Sequence, residues 1–194
     1  MRTREAAGND PIRRRIVRLV EEVRALPYRW PAPPDGQSAA RDGCGTCASK
    51  HALLASRLRE AGIESAHLVL VGPLVPPALR AVEELRDAAG LLEVHECLTV
   101  FTPWAGPLVV DVTWDPPLVA RGLPGVVPWD GVSDMPYAIA AEGRAWAIPA
   151  DRLRPAKEAI RARLYGSGQR AVRDRALAAL SALFASWRAD APAA

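Results

Sequence analysis

Two glycines loosen the turn in Asp42-Gly-Cys-Gly-Thr-Cys-Ala-Ser-Lys-His51, which delivers Cys47 to the start of an apolar-periodic helix. Downstream come His95 and then Asp111, within Val109-Val-Asp-Val-Thr-Trp-Asp115. A thiol, an imidazole and a carboxylate in that order are the parts of a nucleophilic relay. Cysteine attacks as the thiolate, and its reference pKa of about 8.5 has to fall for work at neutral pH. The partial positive charge of a helix N-terminus favours that fall. An imidazole beside the thiol takes its proton, while a carboxylate fixes the tautomer of the imidazole. Cys47, His95 and Asp111 are therefore the candidate nucleophile, general base and orienting group. Gly45, Thr46 and Gln37 are candidate supports for an oxyanion, alongside the N–H of Cys47.

Such a relay needs elements to hold it. An amphipathic helix is predicted over 10–26, capped by Asn9 or Asp10, with Pro11 at its first position and Pro27 at its end. Residues 28–42 read as an ordered loop, and 47–61 as the helix headed by the nucleophile and stopped by Gly62. Strands are predicted over 66–71, 92–101 and 108–114, with a short helix over 78–89. The last two strands form a hairpin about Thr102-Pro-Trp-Ala-Gly106. If Phe101 pairs with Ala105 across a three-residue loop, His95 falls opposite Asp111; a four-residue loop leaves them diagonal neighbours. A second hairpin is expected about Glu142-Gly143, followed by helices over 151–165 and 169–187. The proline-rich loops at 27–42 and 115–136 are expected to shape a pocket. His51 reads as a solvent-facing helix residue, His67 as a satisfied strand histidine, and Cys44 and Cys97 as small buried hydrophobes.

Composition bounds the function. The chain of 194 residues, 49% hydrophobic and 24% charged, fits one globular domain over 1–194. Its net charge of +3 comes from 25 basic residues dispersed among 22 acidic ones, which argues against a nucleic-acid partner. The cluster Arg13-Arg-Arg15 with Arg18 alternates with apolar residues as the solvated face of a helix does. No apolar run is long enough to span a membrane, and the N-terminus lacks the apolar core of a signal peptide. Three cysteines cannot all pair within one chain, so a reducing, cytoplasmic setting is expected. The bias towards alanine, arginine and proline suggests a bacterial, GC-rich source.

Gly45-Thr-Cys47 opening a helix, Leu58-Arg-Glu-Ala-Gly-Ile63, a histidine-bearing strand and Asp111-Val-Thr-Trp-Asp115 together resemble the transglutaminase-like superfamily. The resemblance spans roughly residues 42–116. It implies an α+β fold with a papain-like core, in which the nucleophile helix packs on an antiparallel sheet. Additional N-terminal and C-terminal helices, the latter at about 151–189, would flank that core. It also implies a catalytic triad of Cys47, His95 and Asp111. The expected activity is acyl transfer, or amide or thioester hydrolysis, through an acyl-enzyme on a small-molecule or peptide substrate, without metal or organic cofactor. One departure is Cys97, which stands where many members carry an aromatic residue two positions after the histidine. The competing expectation is a non-catalytic binding or scaffold module of the same fold, stapled by zinc at Cys44, Cys47, His95 and Cys97.

Overall fold

The computed structural model describes residues 10–166 and 168–190; Asn9 and the extreme N-terminus, read above as no signal peptide, lie outside them. Helix α1 (Pro11–Arg24) is capped by Asp10, whose Oδ1 accepts from the Ile12 N–H at 2.8 Å, and Pro11 occupies its first turn. Its apolar stripe of Ile16, Val20 and Val23 is buried. A short helix, α2 (Gly36–Asp42), ends at Gly43 in the left-handed conformation, φ 63°. That reversal, which glycine adopts without steric cost, aims the chain into α3 (Cys47–Glu60).

Strands β1 (Ser65–Pro73), β2 (Leu92–Thr102), β3 (Gly106–Val110) and β4 (Trp146–Ile148) form an α+β architecture with an antiparallel sheet in the order β3-β2-β1-β4. The expected second hairpin is absent. β4 pairs with β1 instead, and the 137–142 stretch runs along the other end of β1, where the Glu142 N–H reaches the Val71 carbonyl at 2.7 Å. The predicted helix over 78–89 is two 3₁₀ segments, Pro77–Leu79 and Glu83–Ala88. The remaining helices are α4 (Pro116–Ala120), α5 (Ala150–Leu164) and α6 (Gln169–Ala189).

The register of the β2–β3 hairpin differs from both expected registers. Thr102 pairs with Gly106, so the loop is 103–105 and the ladder ends at Leu98 opposite Val110. Gly106 takes φ 76°, while the Thr102 hydroxyl donates to the Gly106 carbonyl at 2.9 Å and accepts from the Ala105 N–H at 3.2 Å. Those bonds fix the turn two residues' worth of pairing away from the first expectation. Asp111 consequently lies beyond the end of β3, in an extended run that leaves the sheet.

Two apolar clusters flank that run. One joins α1 and α3 to Leu98, Val100, Leu108, Val110 and Val112; the other joins Tyr28, Trp114 and Leu118 to Leu177, Leu180 and Phe184 of α6. Residues 111–115 thus pass from one core into the other, with Val112 buried in the first and Trp114 in the second. In the second cluster the Tyr28 and Trp114 rings lie 4.9 Å apart and Trp114 and Phe184 5.3 Å apart, in tilted and edge-on geometry that suits the ring quadrupoles.

Candidate active site

Cys47 is the first residue of α3, where its N–H has no intrahelical acceptor. The preceding turn is held from both sides. Ser49 Oγ accepts from the Thr46 N–H at 3.0 Å, and Gly45 bridges the 27–29 segment through Gly45 N–H to Pro27 O and Arg29 N–H to Gly45 O, each 3.0 Å. Thr46 is therefore a helix cap whose own N–H is occupied. At Gly45 a Cβ would meet Ser49 Oγ at 2.3 Å, so this turn requires glycine for close approach rather than for a special φ.

His95 on β2 donates through Nε2 to Asp111 Oδ2 at 2.7 Å, and the Cys47 thiol is near enough to act on the ring electrostatically. With Nε2 engaged by the carboxylate, Nδ1 is the ring nitrogen left for the thiol. Asp111 is almost wholly buried and accepts two further N–H groups, Ala138 at 2.8 Å to Oδ2 and Thr113 at 3.1 Å to Oδ1. Burial alone would raise its pKa; the His95 charge and these bonds outweigh burial and hold it well below the usual carboxylate range. Burial disfavours imidazolium at His95, yet the Asp111 charge and hydrogen bond, with Cys47, push its pKa up to about 10. Burial also opposes a thiolate at Cys47, but the pull of His95 and then the Lys157 charge bring the thiol down. The opposed shifts at Cys47 and His95 favour thiolate with imidazolium over thiol with imidazole.

His51 departs from its expected exposure: it is fully buried. Its Nε2 accepts from the Val112 N–H at 3.0 Å, which leaves Nδ1–H to donate to the Cys47 carbonyl at 2.7 Å. Burial takes its pKa down to about 4, so it remains neutral and keeps that tautomer. It ties the first turn of α3 to the segment carrying Asp111. Lys50, one turn into α3, is also fully buried and donates to the carbonyls of Arg24 (3.0 Å), Leu26 (2.7 Å) and Thr113 (3.0 Å). Desolvation lowers its pKa to about 7 against the pull of Asp115 and Asp111.

A cavity of about 470 Å³ opens beside Cys47. Of the 27–42 stretch expected as a loop, only 27–35 ahead of α2 lines it, through Tyr28, Trp30, Ala32, Pro34 and Asp35; the 115–136 stretch, expected to share that role, contributes nothing. Helices α5 and α6 close the other side with Arg154, Lys157, Arg161 and Arg173. Three of these cations are neutralised. Lys157 donates to Glu96 at 2.6 Å, and Glu93 binds both Arg161 and Arg173. Glu96 also accepts from His67 at 3.0 Å, and Lys157 with that hydrogen bond takes the carboxyl down to about 2 despite its burial.

Gln37 is exposed on α2 and does not line this cavity, so the structure withdraws it as an oxyanion donor. Cys97 is buried with its thiol pKa pushed up, chiefly by desolvation, as suits the packed hydrophobe expected. Cys44 is half-buried. Among the described residues no three His, Cys, Asp or Glu side chains converge as metal ligands, so Cys44, Cys47, His95 and Cys97 do not assemble a zinc site. No helix among them is long and apolar enough to cross a membrane. No protein-family model matches the chain, and no curated protein matches it.

Proposed function

We propose that the chain is a cysteine-dependent acyl-transfer enzyme of the transglutaminase-like type, with α3 and the sheet as a papain-like core. The Cys47 thiolate adds to an amide or thioester carbonyl. As the intermediate collapses, the bond to the leaving amine or thiol breaks and His95 delivers its proton to that group. Water or an amine then attacks the acyl-cysteine, His95 takes the incoming proton, and the thiolate leaves. Asp111 holds the ring and its charge through both half-reactions. The cavity volume suits a small molecule or the end of a peptide, and a working free thiol suits the reducing cytoplasm.

The observation that carries this reading is the 2.7 Å Asp111–His95 bond on a ring whose charge acts on a thiol that heads a helix and lines a cavity. The test is the rate of iodoacetamide alkylation at each cysteine against pH, resolved by mass spectrometry, in wild type and His95→Ala. Cys47 should react selectively and hold its rate well below pH 8 in wild type only. A Cys47 that titrates as an ordinary thiol, or is untouched by the loss of His95, would refute the enzyme reading.

A further inference from the structure

An acyl transfer needs a second donor for the developing oxyanion, because one backbone N–H leaves half the charge unanswered. The Cys47 N–H is one donor; the Thr46 N–H is occupied by Ser49 and Gln37 is exposed elsewhere. Tyr28 meets the requirement. It is only 6% exposed and lines the same cavity as Cys47, and its backbone is bridged to Gly45, two residues before the nucleophile. Both of its backbone groups are fixed, the N–H by Asp115 Oδ2 at 2.9 Å and the carbonyl by Arg188 Nη2 at 3.2 Å, while its ring is wedged against Trp114 and Phe184. Its hydroxyl has no hydrogen-bond partner among the described residues. The side-chain polar atoms among those residues that are both sealed off and unpartnered are Arg24 Nε and Thr113 Oγ1. The Tyr28 hydroxyl is therefore not sealed off, and the charges that reach it, those of Cys47, Glu93 and Arg173, belong to groups lining the Cys47 cavity, so it is a rigidly mounted donor with nothing to donate to.

We propose that Tyr28 is the second oxyanion donor: its O–H, with the Cys47 N–H, holds the carbonyl oxygen that becomes negative as the Cys47 sulfur bonds to the acyl carbon. The carbonyl electron pair moves onto that oxygen and returns when the leaving group departs with the proton from His95. Burial first, and then the negative charges of Cys47 and Glu93, raise the phenol's pKa, so Tyr28 stays protonated and able to donate. The inference rests on the acyl-transfer reading, and two reagents separate the two. Iodoacetamide reads the thiolate by displacement at a saturated carbon, where no oxyanion forms; p-nitrophenyl acetate acylates the same sulfur through a tetrahedral oxyanion.

In Tyr28→Phe, nitrophenolate release above the Cys47→Ala background should fall about 10²-fold. The alkylation rate, its pH profile and the melting temperature should stay those of wild type, because the hydroxyl has no partner to lose. Release at the wild-type rate in Tyr28→Phe overturns the assignment, as does an equal fall in both reactions. Wild-type protein that alkylates selectively but releases no nitrophenolate from Cys47 overturns the acyl-transfer reading and Tyr28 with it.

Discussion

At Asp111 three hydrogen bonds converge on one buried carboxylate, and only one of them comes from His95. The two backbone N–H groups orient the carboxylate without its charge, whereas the effect on His95 is largely electrostatic. Asp111→Asn removes the charge while one oxygen can still accept from His95 and Ala138, at the cost of the Thr113 bond. Removing the negative charge lowers the proton affinity of His95, and a weaker imidazolium lets the Cys47 thiol pKa rise back towards its ordinary value. The alkylation profile of Asp111→Asn should shift to higher pH by about one unit or more, a tenfold loss near pH 6, and converge with wild type above pH 9. A superimposable profile would show that His95 alone sets the thiol. The grouping of Cys47, His95 and Asp111 was legible because each is a reactive type in a distinctive local pattern. His51 was less so: read by itself it is a polar residue on a helix, yet it follows Cys47 by four positions and precedes Leu54 by three. That places it on the same stripe as Leu54 and Leu58, which the structure buries. The stripe was the signal for His51 and Lys50; their partners, carbonyls and N–H groups of α1 and the 111–115 run, carry no side-chain signature.

The elements were read best where one periodicity ran uninterrupted, as in α1 and α3, and worst where backbone bonding outweighed it. The hairpin turned on Thr102 closing its own loop, and Asp111 reached His95 from outside the ladder rather than across it. The 78–89 stretch has helical composition, but the prolines at 76 and 77 break its start and its apolar residues are buried against α6 in 3₁₀ turns. Gly45 is the element-scale test of how α3 is aimed. Gly45→Ala puts a methyl where Ser49 Oγ lies, and that oxygen accepts the Thr46 N–H. Overpacking of this kind costs about 1 to 3 kcal/mol, and here the strain falls on the turn that presents the thiol. Thermal unfolding should move down by several degrees. Cys47 alkylation at pH 7 should fall more than the shift in stability accounts for, measured well below the transition. A variant that loses stability and keeps its alkylation rate would show that the cap does not aim Cys47.

For the whole molecule, the arrangement that matters is how the C-terminal helix reaches the site without contributing to the grouping of Cys47, His95 and Asp111. Arg188 near the end of α6 binds Asp115 through Nε at 2.9 Å and Nη2 at 2.6 Å, and donates to the Tyr28 carbonyl as well. Asp115 in turn accepts from the Tyr28 N–H. One partly buried ion pair therefore clamps the 111–115 run to the 27–29 segment that flanks Gly45, linking the chain that carries Asp111 to the turn that carries Cys47. Asp115 is 1% exposed, so removing its partner leaves a buried charge, at a cost of about 3 to 5 kcal/mol. That is a large share of the roughly 5 to 15 kcal/mol by which domains are stable. Arg188→Met, which keeps the apolar stem, should lower the urea midpoint accordingly with little change in slope. Hydrogen exchange then locates the loss: the Gly45 and Arg29 amides, bonded across the clamp, should lose protection first, while β2 amides decline only with global stability. Uniform loss across both sets would make Arg188 a general stabiliser; selective loss at Gly45 and Arg29 makes α6 the element that holds the two halves of the site in register.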